Sequence, residues 1–121
     1  MKVAGFGFRA AATVQALHTA LDAAGGAVGL TALATAADKA HAPAFAHFAK
    51  GMNLPILAIP LSDLRAAPAT PSTLAPARYG GQSLAEAAAL GAAGPGARLT
   101  GPRSVSPCGT ATCAIAERVT P

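Results

Sequence analysis

Aromatic side chains are scarce in this sequence, which has no tryptophan, four phenylalanines and one tyrosine. Single-stranded nucleic acids need aromatic rings for their bases to stack on, and duplexes need clustered basic residues. The nine Lys and Arg residues are scattered along the chain instead. We therefore expect no nucleic acid partner. Five Asp and Glu leave a formal net charge of +4, which suits a small polyanionic metabolite better.

Long hydrophobic runs are also missing. Gln15, His18 and Asp22 interrupt the longest candidate, which stays below the roughly 18 apolar residues of a membrane span. Cys108 and Cys113 are the two cysteines, and neither they nor the three histidines have the spacing of a metal site. No signal peptide pattern is present. We expect reduced thiols, a cytoplasmic protein, no membrane partner and no metal ion.

The sequence contains an alternation of short apolar runs and helical patterns. It predicts an α/β fold: a single-domain layered sandwich over residues 1–121, with helices on both faces of the sheet. We expect a mostly parallel sheet of about five strands that ends in an antiparallel pair. The first strand is expected to begin at Lys2 and to pass into the first helix through residues 5–9, and the other strands are expected near 30–35, 54–59, 98–101 and 111–118. The helices are expected near 13–24, 41–52 and 83–90.

The first strand runs directly into the first helix, and Gly5, Gly7 and Arg9 lie at this junction. A glycine-rich turn before a helix exposes backbone N–H groups to anions, and an arginine adds a bidentate donor. Alternatively, the two glycines only let strand and helix approach closely. Gly5-x-Gly7-x-x-Ala10 also fits the dinucleotide fingerprint, for which Asp38 is the one candidate ribose ligand.

Ligands of α/β sheets bind beyond the carboxyl ends of the strands, where several polar segments of this chain are expected to meet. Ser83 and Glu86 match a capping box at the start of the third helix. Glu86 and Asp38 are also the candidates for a general acid or base. The segments expected to converge are residues 5–9, Asp38 with Lys39, Ser72, residues 80–86 and Arg103.

Several motifs, taken in chain order, resemble the CobE / CbiG C-terminal-domain family of cobalamin (vitamin B12) biosynthesis. The resemblance covers nearly the whole chain and depends on the order of the motifs rather than on one of them. They are Gly5-x-Gly7-x-Arg9, Thr35-x-x-Asp38-Lys39, Leu54-Pro55-Ile56, Ser72, Gly80-x-x-Ser83-x-Ala85-Glu86, and Ala111-Thr112-x-Ala114-Ile115-Ala116.

The resemblance implies a role in building the corrin ring. Because the chain begins at the first strand of the family, we expect the free-standing CobE type, an accessory or carrier protein that binds a precorrin or hydrogenobyrinic-acid-type tetrapyrrole. One alternative is a precorrin-processing enzyme related to the cobalt-precorrin-5A hydrolase, which opens a lactone. A nucleotide-binding α/β domain is the second alternative. Other corrin-pathway enzymes are candidate partners, self-association into a homo-oligomer stays open, and no cofactor is expected.

The polyanionic character of precorrins indicates which residues would bind them. Cations and backbone amides would take the acetate and propionate groups, and apolar side chains would cover the ring. The expected binding residues are Gly5, Gly7, Arg9, Thr35, Asp38, Lys39, Ser72, Gly80, Ser83, Glu86 and Arg103. The candidates for the apolar wall are Phe6, Phe8 and Leu54.

Overall fold

The first strand of the chain lies at the centre of a six-stranded mixed sheet. This arrangement is seen in a computed structural model that describes residues 2–60, 84–94, 96–101, 103–107 and 109–118. Within these ranges the elements follow one another as β1 (Lys2–Phe8), α1 (Val14–Ala24), β2 (Ala32–Ala36), α2 (Pro43–Met52), β3 (Ile56–Ile59), α3 (Leu84–Ala93), β4 (Arg98–Leu99), β5 (Ser104–Val105) and β6 (Ala111–Glu117).

The strand order is β3-β2-β1-β6-β4, and β5 also pairs with β6. β1 pairs with β2, and β2 with β3, in parallel. β6 runs antiparallel to β1, β4 and β5. The α/β class and the antiparallel pairing of the last strands are therefore confirmed. The sheet is mixed rather than wholly parallel, because the last strand inserts beside β1 instead of extending a parallel series. We call the side on which β1, β2 and β3 end the carboxyl edge.

Helices α1 and α2 cover one face of the sheet and enclose its aromatic core. Thr13 caps α1 by accepting a hydrogen bond from the Ala16 amide at 3.1 Å, and Pro43 opens α2. Phe6 of β1 packs edge-on against Phe45 and Phe48 of α2, with ring centroids 5.5 and 5.2 Å apart. All three rings are fully buried, so a few large side chains supply the bulk that the alanines lack.

Helix α3 covers the opposite face and runs antiparallel to β1. Leu84, in its first turn, contacts Gly7 near the end of β1, whereas Ala89 contacts Gly5 one turn further on. Eight of its ten residues are buried. A helix that is apolar on every side is typical of a fully buried element. The alanines allow the helix axis to approach the sheet closely.

Several sequence-based boundaries differ from the structure. The third strand begins at Ile56 rather than at residue 54, and α3 continues past Gly91 to Ala93 before Gly94, whose φ of +91° ends it. Between the last two expected strands lies β5, a strand too short to predict. The segment between the third expected strand and the third expected helix, residues 61–83, falls outside the described residues. Within the described ranges, no helix is long and apolar enough to cross a membrane.

Candidate carboxylate-binding site

Gly5 and Gly7 lie inside β1, and both pair with β6, so the expected glycine-rich turn after the strand is wrong. The strand continues through Phe8, and the junction with α1 begins at Arg9. A Cβ atom on Gly5 would lie 2.5 Å from the Ala89 nitrogen and would also collide with the Ala85 carbonyl. Gly5 is therefore required for the close approach of α3. A dinucleotide fingerprint needs its glycines in the turn, so this position also disfavours a nucleotide site.

Lys39 reaches the end of β1 from the turn that follows β2. Its Nζ donates a hydrogen bond to the Phe8 carbonyl at 2.8 Å and lies 5.3 Å from the centroid of the Phe8 ring. Two backbone bonds shape this turn, from the Lys39 amide to the Ala36 carbonyl and from the Ala42 amide to the Lys39 carbonyl. The half-buried Phe8 ring in turn stacks on Phe45 at 5.2 Å. The structure thus places a cation and an aromatic ring at the carboxyl edge.

Arg9 and Asp38 are the exposed members of the same region. The Arg9 amide donates to the Thr110 carbonyl at 2.8 Å, which ties the first residue after β1 to the loop before β6. The Arg9 carbonyl accepts from the Ala12 amide at 2.9 Å and forms the turn into α1. The backbone of Arg9 is thereby held, while its side chain extends into solvent.

Glu86 and Arg103 meet on the α3 side of the sheet. Arg103 Nη1 lies 3.5 Å from Glu86 Oε1, and the side chains are 29% and 3% exposed, respectively. A carboxylate buried to this degree is stable only when charge and hydrogen bonds compensate it, which the arginine helps to do. Sequence analysis predicted that these two residues would converge, and the structure brings them into contact.

Arg103 directly precedes β5, where the pairing with β6 changes register. Leu99 pairs with Ala116, whereas Ser104 pairs with Cys113, so the register shifts by two residues between β4 and β5. A shift of two residues keeps side chains on the same face of the sheet and moves them along the strand, which sets the level at which Arg103 meets Glu86. This register could not be inferred from the sequence, because the spacing of apolar residues along one strand does not show where its pairing with a neighbouring strand shifts by two residues.

The two groups of polar residues lie on opposite faces of the sheet. Phe6 and Phe8 pack with α1 and α2, whereas Gly5 and Gly7 face α3, as the alternation of a strand requires. Lys39 over the Phe8 ring therefore belongs to the first face, and Glu86 with Arg103 to the second. The N-terminus of α3, with its positive dipole end, lies at the carboxyl edge on the second face.

Thr35 and Phe6, which were also expected to contact a ligand, are fully buried in this structure. Thr35 is 0% exposed, and its hydroxyl donates to the Phe6 carbonyl at 2.8 Å. A direct contact with a ligand would need an exposed hydroxyl, so Thr35 instead holds β2 against β1. Phe6 is also 0% exposed and belongs to the core rather than to an apolar wall. Phe8 and Leu54 are half-buried and remain candidates for that wall.

Thr112, which the sequence presents only as part of the last family motif, extends the second face. Its Oγ1 donates to the Gly7 carbonyl at 3.2 Å, and it pairs with Val105, whose side chain is 50% exposed. Directly opposed residues of antiparallel strands share a face, so both lie on the α3 side. The signal available was the alternation along β6, where Thr112 is a polar residue between buried Ala111 and Cys113.

Three expected binding residues, Ser72, Gly80 and Ser83, lie outside the described residues. Cys108 lies outside them as well, whereas Cys113 is a buried free thiol whose pKa is raised by burial. Among the residues that the structure describes, no group of three or more His, Cys, Asp or Glu side chains could hold a metal ion.

Residues 2–116 match a family model described as the C-terminus of cobalamin synthesis protein G. The chain belongs to this cobalamin-biosynthesis family. The family resemblance inferred from the order of the motifs is thereby confirmed.

Two solved structures of the same pathway are similar over the full fold. The crystal structure of CobE, a protein from the cobalamin (vitamin B12) biosynthetic pathway, is 28% identical with a TM-score of 0.81, and the match covers 100% of this chain and 92% of CobE. The cobalamin biosynthesis protein chiG from Agrobacterium tumefaciens is 36% identical with a TM-score of 0.75, covering 99% and 100% of the two chains. Among curated protein sequences, none matches significantly.

Proposed function

We propose that this member of the cobalamin-biosynthesis family binds a carboxylate-rich tetrapyrrole intermediate of corrin-ring construction, as an accessory or carrier protein. The observation that carries the proposal is the set of cations near the carboxyl edge. Lys39 lies at the end of β1, Arg9 follows it with an exposed side chain, and Arg103 lies beside the first turn of α3. Precorrins carry several acetate and propionate groups, which such cations bind through charge-assisted hydrogen bonds.

The basic residues are matched by an apolar surface that suits the ring itself. Phe8 is half-buried with its ring at the edge, and Val105 is half-exposed on the other face. A macrocycle has both apolar faces and a charged rim, so its site needs both kinds of surface. A cytoplasmic location and partners among the corrin-pathway enzymes are part of the same proposal.

Titration of the purified protein with hydrogenobyrinic acid, followed by the visible spectrum of the ligand, tests this function. We expect saturable binding with a dissociation constant in the micromolar range or below. Arg9→Ala should weaken binding about tenfold, as the loss of one charge-assisted hydrogen bond implies.

Arg98→Ala is the matched control. It removes an equal charge from an exposed arginine. Arg98 is the ladder partner of Glu117, and Glu117 is also the ladder partner of Lys2 at the start of β1. Arg98 therefore lies at the end of the sheet opposite to the carboxyl edge. Its affinity should equal that of the wild type. Equal losses for both variants would mean that net charge alone attracts the ligand, and the absence of binding at a hundred micromolar would overturn the proposal.

An enzymatic role is the second candidate, and Glu86, which contacts Arg103, is its first candidate for a general acid or base, ahead of the exposed Asp38. Incubation with a ring-contracted precorrin, followed by mass spectrometry, tests this role. Turnover requires a change in ligand mass that Glu86→Gln abolishes, and an unchanged mass leaves only binding.

A further inference from the structure

We infer that Glu86 is a positioning residue for Arg103: it fixes the guanidinium on the α3 side of the sheet so that its remaining N–H groups can take a carboxylate of the ligand. The inference rests on the proposed function and extends it to the role of one pair of residues. It assigns ligand contact to Arg103 and not to Glu86.

The burial of the two side chains indicates this division of roles. Glu86 is 3% exposed, whereas Arg103 is 29% exposed and therefore has the larger surface available to a bound molecule. The contact is made through Nη1 at 3.5 Å. A guanidinium carries five N–H donors in a rigid fork, so one contact at Nη1 leaves others directed away from Glu86.

The backbone around Arg103 explains why a partner is needed. Arg103 directly precedes β5, at the two-residue change of register that interrupts the ladder between β4 and β5 along β6. A long side chain at an interrupted ladder would otherwise sample several rotamers. Glu86, by contrast, lies in a buried helix whose neighbours are packed on all sides. A rigid carboxylate thus anchors a side chain whose own backbone gives it less support.

Preorganisation of this kind increases affinity by removing the entropy loss of ordering one side chain on binding. Arg103→Ala should weaken hydrogenobyrinic acid binding by about tenfold to a hundredfold, as expected for a charge-assisted hydrogen bond. Glu86→Gln keeps the shape but removes the charge, and it should weaken binding about threefold to tenfold.

A double-mutant cycle on binding separates positioning from a merely structural role. If Glu86 acts through Arg103, Glu86→Gln should have no further effect in the Arg103→Ala background. Losses that multiply would overturn the inference. Tighter binding by Glu86→Gln would also overturn it, because Glu86 would then compete with the ligand for Arg103. Circular dichroism and the melting temperature of each variant verify that the fold is intact.

A second measurement needs no ligand. The ¹⁵N relaxation of the Arg103 Nε–H group should report an ordered side chain in the wild type and a mobile one in Glu86→Gln, while Arg98, away from the pair, stays unchanged. Equal mobility of Arg103 in both proteins would overturn the inference even if the ligand binds. If the wild type binds no ligand but Arg103 is ordered by Glu86, the proposed function fails while the pair is shown to be structural.

Discussion

Gly5→Ala tests whether the glycines of β1 serve packing or anion binding. The added Cβ would lie 2.5 Å from the Ala89 nitrogen and 2.9 Å from the Ala89 Cβ, and would also collide with the Ala85 carbonyl. Two of these three atoms belong to the backbone of α3, which cannot rotate away as the end of a flexible side chain can. The substitution therefore forces the helix away from the central strand of the sheet.

The expected cost follows from two opposing effects. Overpacking of a closely packed interior costs about 1–3 kcal/mol, and backbone collisions indicate the upper end of that range or beyond. Replacing glycine also restricts the unfolded chain, which offsets about 0.4–1 kcal/mol. We expect a net destabilisation of about 2–3 kcal/mol. For 121 residues this corresponds to a melting temperature lower by about 8–12 °C.

Two further glycines provide a graded comparison. At Gly7 the new Cβ would meet Thr112 Oγ1 at 2.9 Å, an atom that can rotate away. It would also lie 3.3 Å from Leu84 Cβ, a milder contact than those at Gly5, so the cost should be about 1 kcal/mol. At Gly51, on the exposed surface of α2, nothing lies within 4 Å. Gly51→Ala should therefore stabilise the protein by about 0.5–1 kcal/mol, because alanine favours a helix.

Thermal unfolding followed by circular dichroism, together with urea titration, measures all three variants. The expected order of stability is Gly51→Ala above the wild type, then Gly7→Ala, then Gly5→Ala. A Gly5→Ala protein as stable as the wild type would refute the packing argument.

Three other predictions concern individual buried or capping groups. Thr35→Val should lower the free energy of unfolding by about 1–2 kcal/mol, because the Phe6 carbonyl loses a buried hydrogen bond. The affinity of this variant for hydrogenobyrinic acid, measured by the titration of the visible spectrum, should stay unchanged. Thr13→Ala should cost about 1 kcal/mol by removing the cap of α1, with serine at this position retaining most of the stability in urea titration. Burial raises the pKa of the Cys113 thiol above its ordinary value of 9.0. At high pH the folded state therefore retains a proton that the unfolded state loses. The free energy of unfolding should be constant below about pH 8.5 and decrease above it. Relative to Cys113→Ala, the decrease at pH 10 should be about 1.4 kcal/mol, and parallel pH profiles of the two proteins would contradict this linkage.

The two helices on the aromatic face could be predicted because local signals and packing agree there. Thr13 and Pro43 mark the helix starts, and Phe45 and Phe48 recur at helical spacing on the buried side. The source of the core volume was less predictable. Helix α2 contributes two of the three largest buried rings, although the chain is rich in alanine. Composition alone does not indicate which element faces the core.

The α3 face was harder to predict because tertiary contacts override local signals there. Gly91 is a typical helix stop, but the helix passes through it, since the alanines on either side remain packed on the sheet. The pairing of Arg103 with Glu86 was expected only as a convergence at one edge. Its cause is the two-residue offset between β4 and β5, which depends on strand register and therefore on the whole sheet.

The division of the site between two faces makes a prediction about the size of the ligand. Consecutive residues of a strand point to opposite sides, so Lys39 over Phe8 and Arg103 beside α3 cannot both contact a small anion on one face of the sheet. A macrocycle with carboxylates around its rim can extend across the carboxyl edge to both.

For hydrogenobyrinic acid we therefore expect Lys39→Ala and Arg103→Ala each to weaken binding. The two losses in affinity should multiply in the double variant, because distant sites act independently. A single pyrrole bearing one acetate and one propionate should be sensitive to only one of the two substitutions. Lys50→Ala, at the exposed end of α2, controls for charge. If only one of the two substitutions weakened the binding of hydrogenobyrinic acid, the ligand site would lie on one face of the sheet, and the other cation would have a structural role.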